Sequence, residues 1–122
     1  MSIENLKNIN ENIRDVYLKQ EFFEFVDSGL KTLELRVAFS SFFKISIGDK
    51  IRFKSGQGAS VEVEITDIRQ YSEFAEVLQS EDISKLAPNI TDQQIQKIST
   101  SLFKESDVKQ YGLILFEFKK IE

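Results

Sequence analysis

The spacing of apolar residues changes several times along this chain, and each change marks an element. The run Glu21 to Ser28 is amphipathic and predicts a helix. Gly29 follows it, where glycine can take the left-handed conformation that ends a helix at little steric cost. From Thr32 to Val37 the period becomes two: Leu33, Leu35 and Val37 face one way and Thr32, Glu34 and Arg36 the other, as in a β-strand with one core face and one polar face. Ile45 to Phe53 reads as a turn at Gly48-Asp49 followed by a strand, with Ile47, Ile51 and Phe53 apolar. Val61, Val63 and Ile65 alternate with Glu62, Glu64 and Thr66, and Ser55-Gly56-Gln57-Gly58 joins these two runs as an antiparallel hairpin.

Two helices are expected next. Ser72 can cap one that carries Phe74, Val77 and Leu78, and Thr91 with Gln94 forms a capping box before Ile95, Ile98 and Leu102. Tyr111 to Phe118 is mostly apolar, which suits a strand buried on both faces, with Gly112 as a candidate bulge. Four or more strands with interspersed helices predict an α+β fold, a small and partly closed mixed β-barrel with helices packed against it. The polar, asparagine-rich residues 1–12 read as a loosely held leader, and residues 13–122 as one domain.

Composition narrows the chemistry. The 122 residues contain eleven phenylalanines, no tryptophan, no cysteine and no histidine. Zinc fingers, Cys or Ser/His hydrolases and imidazole bases are therefore excluded, which leaves lysine, carboxylate, hydroxyl and arginine for any catalysis. No cofactor or metal is expected. The net charge of −4 argues against extended contact with nucleic-acid phosphates, although a local basic site is compatible with it. No apolar run approaches the roughly 18 residues of a membrane span, no secretory signal is evident, and the expected address is cytoplasmic.

Lys31, Glu34 and Arg36 fall at fixed spacing after Gly29, with Lys31 at the helix-to-strand corner. Read as a site, they suit a phosphate or a base edge, Arg36 through its planar fork and Glu34 by accepting from an amino group, while Thr32 adds a hydroxyl. A neighbouring Glu34 favours the charged form of Lys31, which makes it a cation rather than a base. Lys44, Arg52 and Lys54 are candidates for a basic rim. Glu62, Glu64, Glu73, Glu76, Glu81 and Asp82 make up an acidic surface, read either as a protein-interaction face or as solvated side chains.

Gly29, Lys31, Glu34 and Arg36 together fill G-x-K-x-x-E-x-R, and the chain resembles the ASCH domain, a PUA-like family. Three further stretches agree in order: Gly48-Asp49-Lys50-Ile51-Arg52-Phe53, Val61 to Ile68 running into Tyr71-Ser72-Glu73-Phe74, and the Tyr111-Gly112 strand. The resemblance spans roughly Phe22 to Lys120. It implies a PUA-like barrel, a cleft between barrel and helices lined by Lys31, Thr32, Glu34 and Arg36, and an RNA, nucleoside or nucleotide ligand. Members described as acetylcytidine amidohydrolases, which are similar in length and layout, imply an alternative as a nucleic-acid-processing enzyme, and ribonucleases a second. Of their catalytic residues the lysine corresponds to Lys31, but the nucleophilic threonine falls on Glu34 and the glutamate on Pro88, beside Asn89-Ile90-Thr91.

Overall fold

The computed structural model describes residues 13–121; the expected leader lies outside them. Five strands, β1 (Arg14–Leu18), β2 (Leu33–Val37), β3 (Lys50–Ser55), β4 (Ser60–Tyr71) and β5 (Leu113–Lys120), form one mixed sheet in the order β1-β3-β4-β5-β2. β1 runs parallel to β3, and the other pairings are antiparallel. The sheet curls into a half-barrel. Helix α1 (Gln20–Asp27) lies between β1 and β2, and α2 (Phe74–Ser80), α3 (Ile83–Leu86), α4 (Asp92–Leu102) and α5 (Glu105–Tyr111) fill the stretch between β4 and β5.

The alternation of β2 puts its apolar side chains into one of two cores and leaves Glu34 and Arg36 on the opposite face. Val16, Phe23, Ile51, Phe53, Val63, Ile65 and Phe118 belong to the other core, where the Phe53 and Phe118 rings meet at 5.1 Å. Leu33, Leu35 and Val37 face the second core, against Val77, Ile83, Leu86 and Ile95 of the helices. β5 lies between β4 and β2, and Leu113 to Phe116 are buried on both faces, as their continuous apolar run predicts.

The β3–β4 hairpin has the expected loop, closed by Ser55 N to Ala59 O at 3.0 Å with Gly58 at φ 90°. The Thr91–Gln94 capping box forms reciprocally at 2.9 and 3.2 Å. Other expectations are corrected. β1 is an additional strand, whose five residues alternate too briefly to stand out. The strand of Lys31's corner begins at Leu33 rather than Thr32. Glu73, not Ser72, is the N-cap of α2, because the Glu76 carboxylate accepts from Ser72 N and Oγ at 2.7 Å and draws that residue back across the helix start. Ile47 is exposed beside its turn, and Ile45 is the residue that enters the core.

Tyr111 ends α5 rather than beginning β5, and Gly112 closes that helix at φ 76° instead of forming a bulge. The bulge falls on β4, between Ile65 and Asp67. A Cβ at position 112 would stand 3.0 Å from the Tyr71 carbonyl oxygen. Gly112→Ala combines this clash with a left-handed conformation, and urea unfolding is expected to show a loss of about 1–3 kcal/mol.

Candidate functional site

The site is assembled at the open seam of the half-barrel. Ser28 N and Lys31 N bond back to Glu24 O and Phe25 O at 3.0 Å each, and Gly29 takes φ 85°, so the chain turns out of α1 and directs the Lys31 side chain inward. Lys31 is 3% exposed. Its Nζ donates to Leu33 O, to Leu86 O at 2.7 Å, and to Glu34 Oε1 at 3.0 Å, with the Phe22 ring centroid at 5.8 Å. Three acceptors surround a group with three N–H bonds, an arrangement the ammonium satisfies completely.

Glu34 Oε2 accepts from Arg36 Nε at 2.6 Å. Glu34 and Arg36 stand opposite Phe116 and Ile114 of β5 and so share their face of the sheet. Arg36 Nη2 donates to Tyr17 O at 3.1 Å, which carries a side-chain bridge from β2 to β1, the two outermost strands of the sheet. Arg36 Nη1 has no hydrogen-bond partner among the described residues. Of the two flanking side chains, Glu34 is 12% and Arg36 30% exposed.

Burial lowers the Lys31 pKa below the ordinary lysine value; Glu34 offsets part of that effect, and Arg36 adds to it. Burial acts on Glu34 in the opposite sense and would raise its pKa, but Lys31 and Arg36 outweigh it and hold the carboxyl below the ordinary glutamate range. The three acceptors around Lys31 Nζ favour its ammonium form against that burial, and the triad is read as a carboxylate between two cations.

A cavity of about 230 Å³ opens on this triad. Tyr17, Phe22, Phe74 and Phe103 supply aromatic walls, and α3 and α4 contribute Leu86, Ala87, Ile95, Ile98 and Ser99. Lys19, at the N-cap of α1, adds a further cation. Thr32 is not among the lining residues. Its main chain instead joins β2 to its neighbours, Thr32 N bonding Lys85 O and Thr32 O accepting from Phe118 N, each at 3.0 Å. Pro88, where the resemblance placed a glutamate, is buried directly after the lining residues Leu86 and Ala87.

The basic rim does not assemble around the cavity. Arg52 pairs with Asp15 at 3.3 Å and Glu62 at 3.2 Å, Lys54 pairs with Asp15 at 3.6 Å, and neither they nor Lys44 line it. The acidic surface also divides. Glu81 is 6% exposed and holds Arg69 through two hydrogen bonds of 2.6 and 2.8 Å, with Tyr71 donating to it as well. Asp82 caps α3, and Glu76 completes the capping box of α2. Sequence reasoning did not single out the aromatic walls or the α4 face, although Ile95, Ile98 and Leu102 are the stripe of the expected helix.

Residues 16–122 match the ASCH domain family, and the chain belongs to it. The fold is accordingly PUA-like. Among solved structures, the crystal structure of the hypothetical protein PH0355 is similar at 29% identity and a TM-score of 0.78, over 88% of this chain and 97% of that one. The solution structure of protein PF0455 from Pyrococcus furiosus is similar at 23% identity and a TM-score of 0.71, over 89% and 97% of the two chains. A point-mutant form of the ZmASCH protein from Zymomonas mobilis is similar at 14% identity and a TM-score of 0.50, over 88% of this chain and 71% of that one. No curated protein matches the chain. No helix among the described residues is long and apolar enough to cross a membrane.

Proposed function

We propose that this ASCH domain is a binding module that takes a nucleobase, presented by a free nucleoside or nucleotide or by an unpaired position in RNA, into the cavity above Glu34 and Arg36. The observation that carries the reading is the pairing of an aromatic-walled cavity with one adjoining acceptor and donor: the Glu34 carboxylate and Nη1 of Arg36, unengaged among the described residues. Unstacked bases are recognised by these two means, rings against aromatic faces and polar edges against side-chain donors and acceptors. The volume of about 230 Å³ lies below the roughly 300–1,000 Å³ of sites for drug-sized ligands, which favours a single base or nucleoside.

Between the alternatives of phosphate and base edge, the geometry favours the edge. All three Lys31 donors are engaged inside the protein. The Arg36 fork is turned by its Nε and Nη2 toward Glu34 and Tyr17, and a carboxylate stands beside its remaining donors. A phosphate approaching Nη1 would meet that carboxylate, whereas a base edge offers it an N–H. A phosphate attached to the same ligand would find Lys19 instead.

The test is a thermal-shift panel of nucleosides, nucleoside monophosphates, acetylcytidine, short single-stranded RNAs and inorganic phosphate, with product formation followed in the same samples. A nucleoside at ten times its Kd is expected to add roughly 1.4 kcal/mol of stability, and inorganic phosphate none. A shift with phosphate alone would contradict the base-edge reading. Product from acetylcytidine or RNA that disappears in Glu34→Gln would make the domain an enzyme.

A further inference from the structure

We propose that Lys31 is a positioning residue for this site: it touches no ligand, but fixes the Glu34 carboxylate and ties the cavity wall to its floor before a ligand arrives. The proposal rests on the binding reading above and assigns Lys31 a role different from that of the two residues beside it.

Three features carry it. The first is saturation: Leu33 O, Leu86 O and Glu34 Oε1 take the three Nζ protons, so a direct Lys31–ligand bond would require one of these to break inside a site where the side chain is 3% exposed. The second is what those acceptors belong to. Leu33 begins β2, which carries Glu34 and Arg36, whereas Leu86 ends α3, 55 residues beyond Lys31, and lines the cavity together with Ala87. One ammonium therefore sets the spacing between the polar floor and an apolar wall. The third is division of labour on the carboxylate. Oε1 is bound by Lys31 and Oε2 by Arg36, so Lys31 fixes the rotation of the carboxylate plane, while Arg36, which lines the cavity, keeps Nη1 without a partner among the described residues.

The charged groups around Glu34 are few. Lys31 and Arg36 are in contact with it, and Lys19 from the start of α1 and the Tyr17 hydroxyl from β1 share the cavity. The lining residues of α3 and α4 are Leu86, Ile95, Ile98, Ser99 and Leu102, with no titratable side chain. Removal of Lys31 therefore leaves Arg36 as the one directly bound cation among the described residues, and a largely buried carboxylate with fewer counter-charges retains its proton to higher pH.

Two readouts on the whole protein test this. Carbon-13 NMR of the Glu34 carboxyl through an acid titration is expected to give a midpoint below the ordinary glutamate value in the wild type and a higher midpoint in Lys31→Met. Titration with nucleosides at neutral pH is expected to show affinity about tenfold weaker in Lys31→Met, the effect of losing one charge-assisted orientation. The pH at which binding declines on the acid side should move upward with the Glu34 midpoint, and Lys31→Arg should recover part of the affinity. A wild-type Glu34 that titrates at or above the ordinary value overturns the proposal, and this holds even if Lys31→Met fails to fold. An unchanged midpoint in a folded Lys31→Met also overturns it. Wild-type protein that binds no nucleoside while its Glu34 carboxyl is held low by Lys31 removes the binding reading and leaves the positioning role standing.

Discussion

Lys31→Met is expected to lower the free energy of unfolding at neutral pH by about 3–5 kcal/mol, the range for breaking a buried ion pair by removing one partner. Methionine replaces most of the side-chain volume, so the loss comes from stranded polar groups rather than from a void. Leu33 O and Leu86 O lose a donor, and Glu34 Oε1 loses its cation. The pH dependence distinguishes this origin from a packing defect. Because the folded-state pKa of Glu34 is depressed, its ionisation contributes stability that is present above the unfolded value and is lost as pH falls through the folded value. Methionine removes most of that contribution, so the gap between wild type and variant should narrow as the pH falls from neutrality. Urea unfolding at a series of pH values measures it. A gap independent of pH would assign the loss to packing.

Arg36→Ala is expected to weaken nucleoside binding about a hundredfold, as the loss of hydrogen bonds from a charged donor implies, with a smaller effect on stability. The guanidinium is 30% exposed, and Glu34 keeps its bond to Lys31 when Arg36 is removed. The variant also loses the bridge from Nη2 to Tyr17 O, so part of its effect should appear as greater exchange of the backbone amides of β1, which hydrogen exchange reads residue by residue. Calorimetric titration with the nucleoside that gives the largest thermal shift measures the affinity. Equal binding by Arg36→Ala would place the ligand away from Nη1.

The fold class, and which side chains of β2 share a face, were more legible in the sequence than what encloses that face. The two-residue period of Leu33 to Val37 determines which side chains share a face, and that face does hold Glu34 and Arg36 together. Whether such a face is solvated or enclosed is a tertiary question. Here it is settled by Tyr17 from β1, by Phe22 from α1, and by helices α3 and α4 from much later in the chain. Lys31 shows the same limit: its corner follows from Gly29, but its saturation depends on the carbonyl of Leu86, which no local pattern connects to it. Arg52 and Lys54 look like a basic rim along the chain because their neutralising partners, Asp15 and Glu62, lie on adjacent strands. β1 escapes pattern reading because only Val16 and Leu18 of its five residues face the core, and α3 because four residues are too few for a helical period to emerge.

The central claim is that a base enters the cavity between the aromatic walls and the Glu34–Arg36 pair, and nitrogen-15 chemical-shift mapping with adenosine, cytidine, guanosine and uridine in turn tests it most directly. Saturable shifts are expected in the amides of Leu33 to Arg36, Phe22, Ala87 and Ser99 and in the Arg36 Nε–H, with the outer residues of β3 and β4 unmoved. No shift with any of the four at saturating concentration, or shifts grouped around Arg52, Lys54 and Glu62, would contradict it.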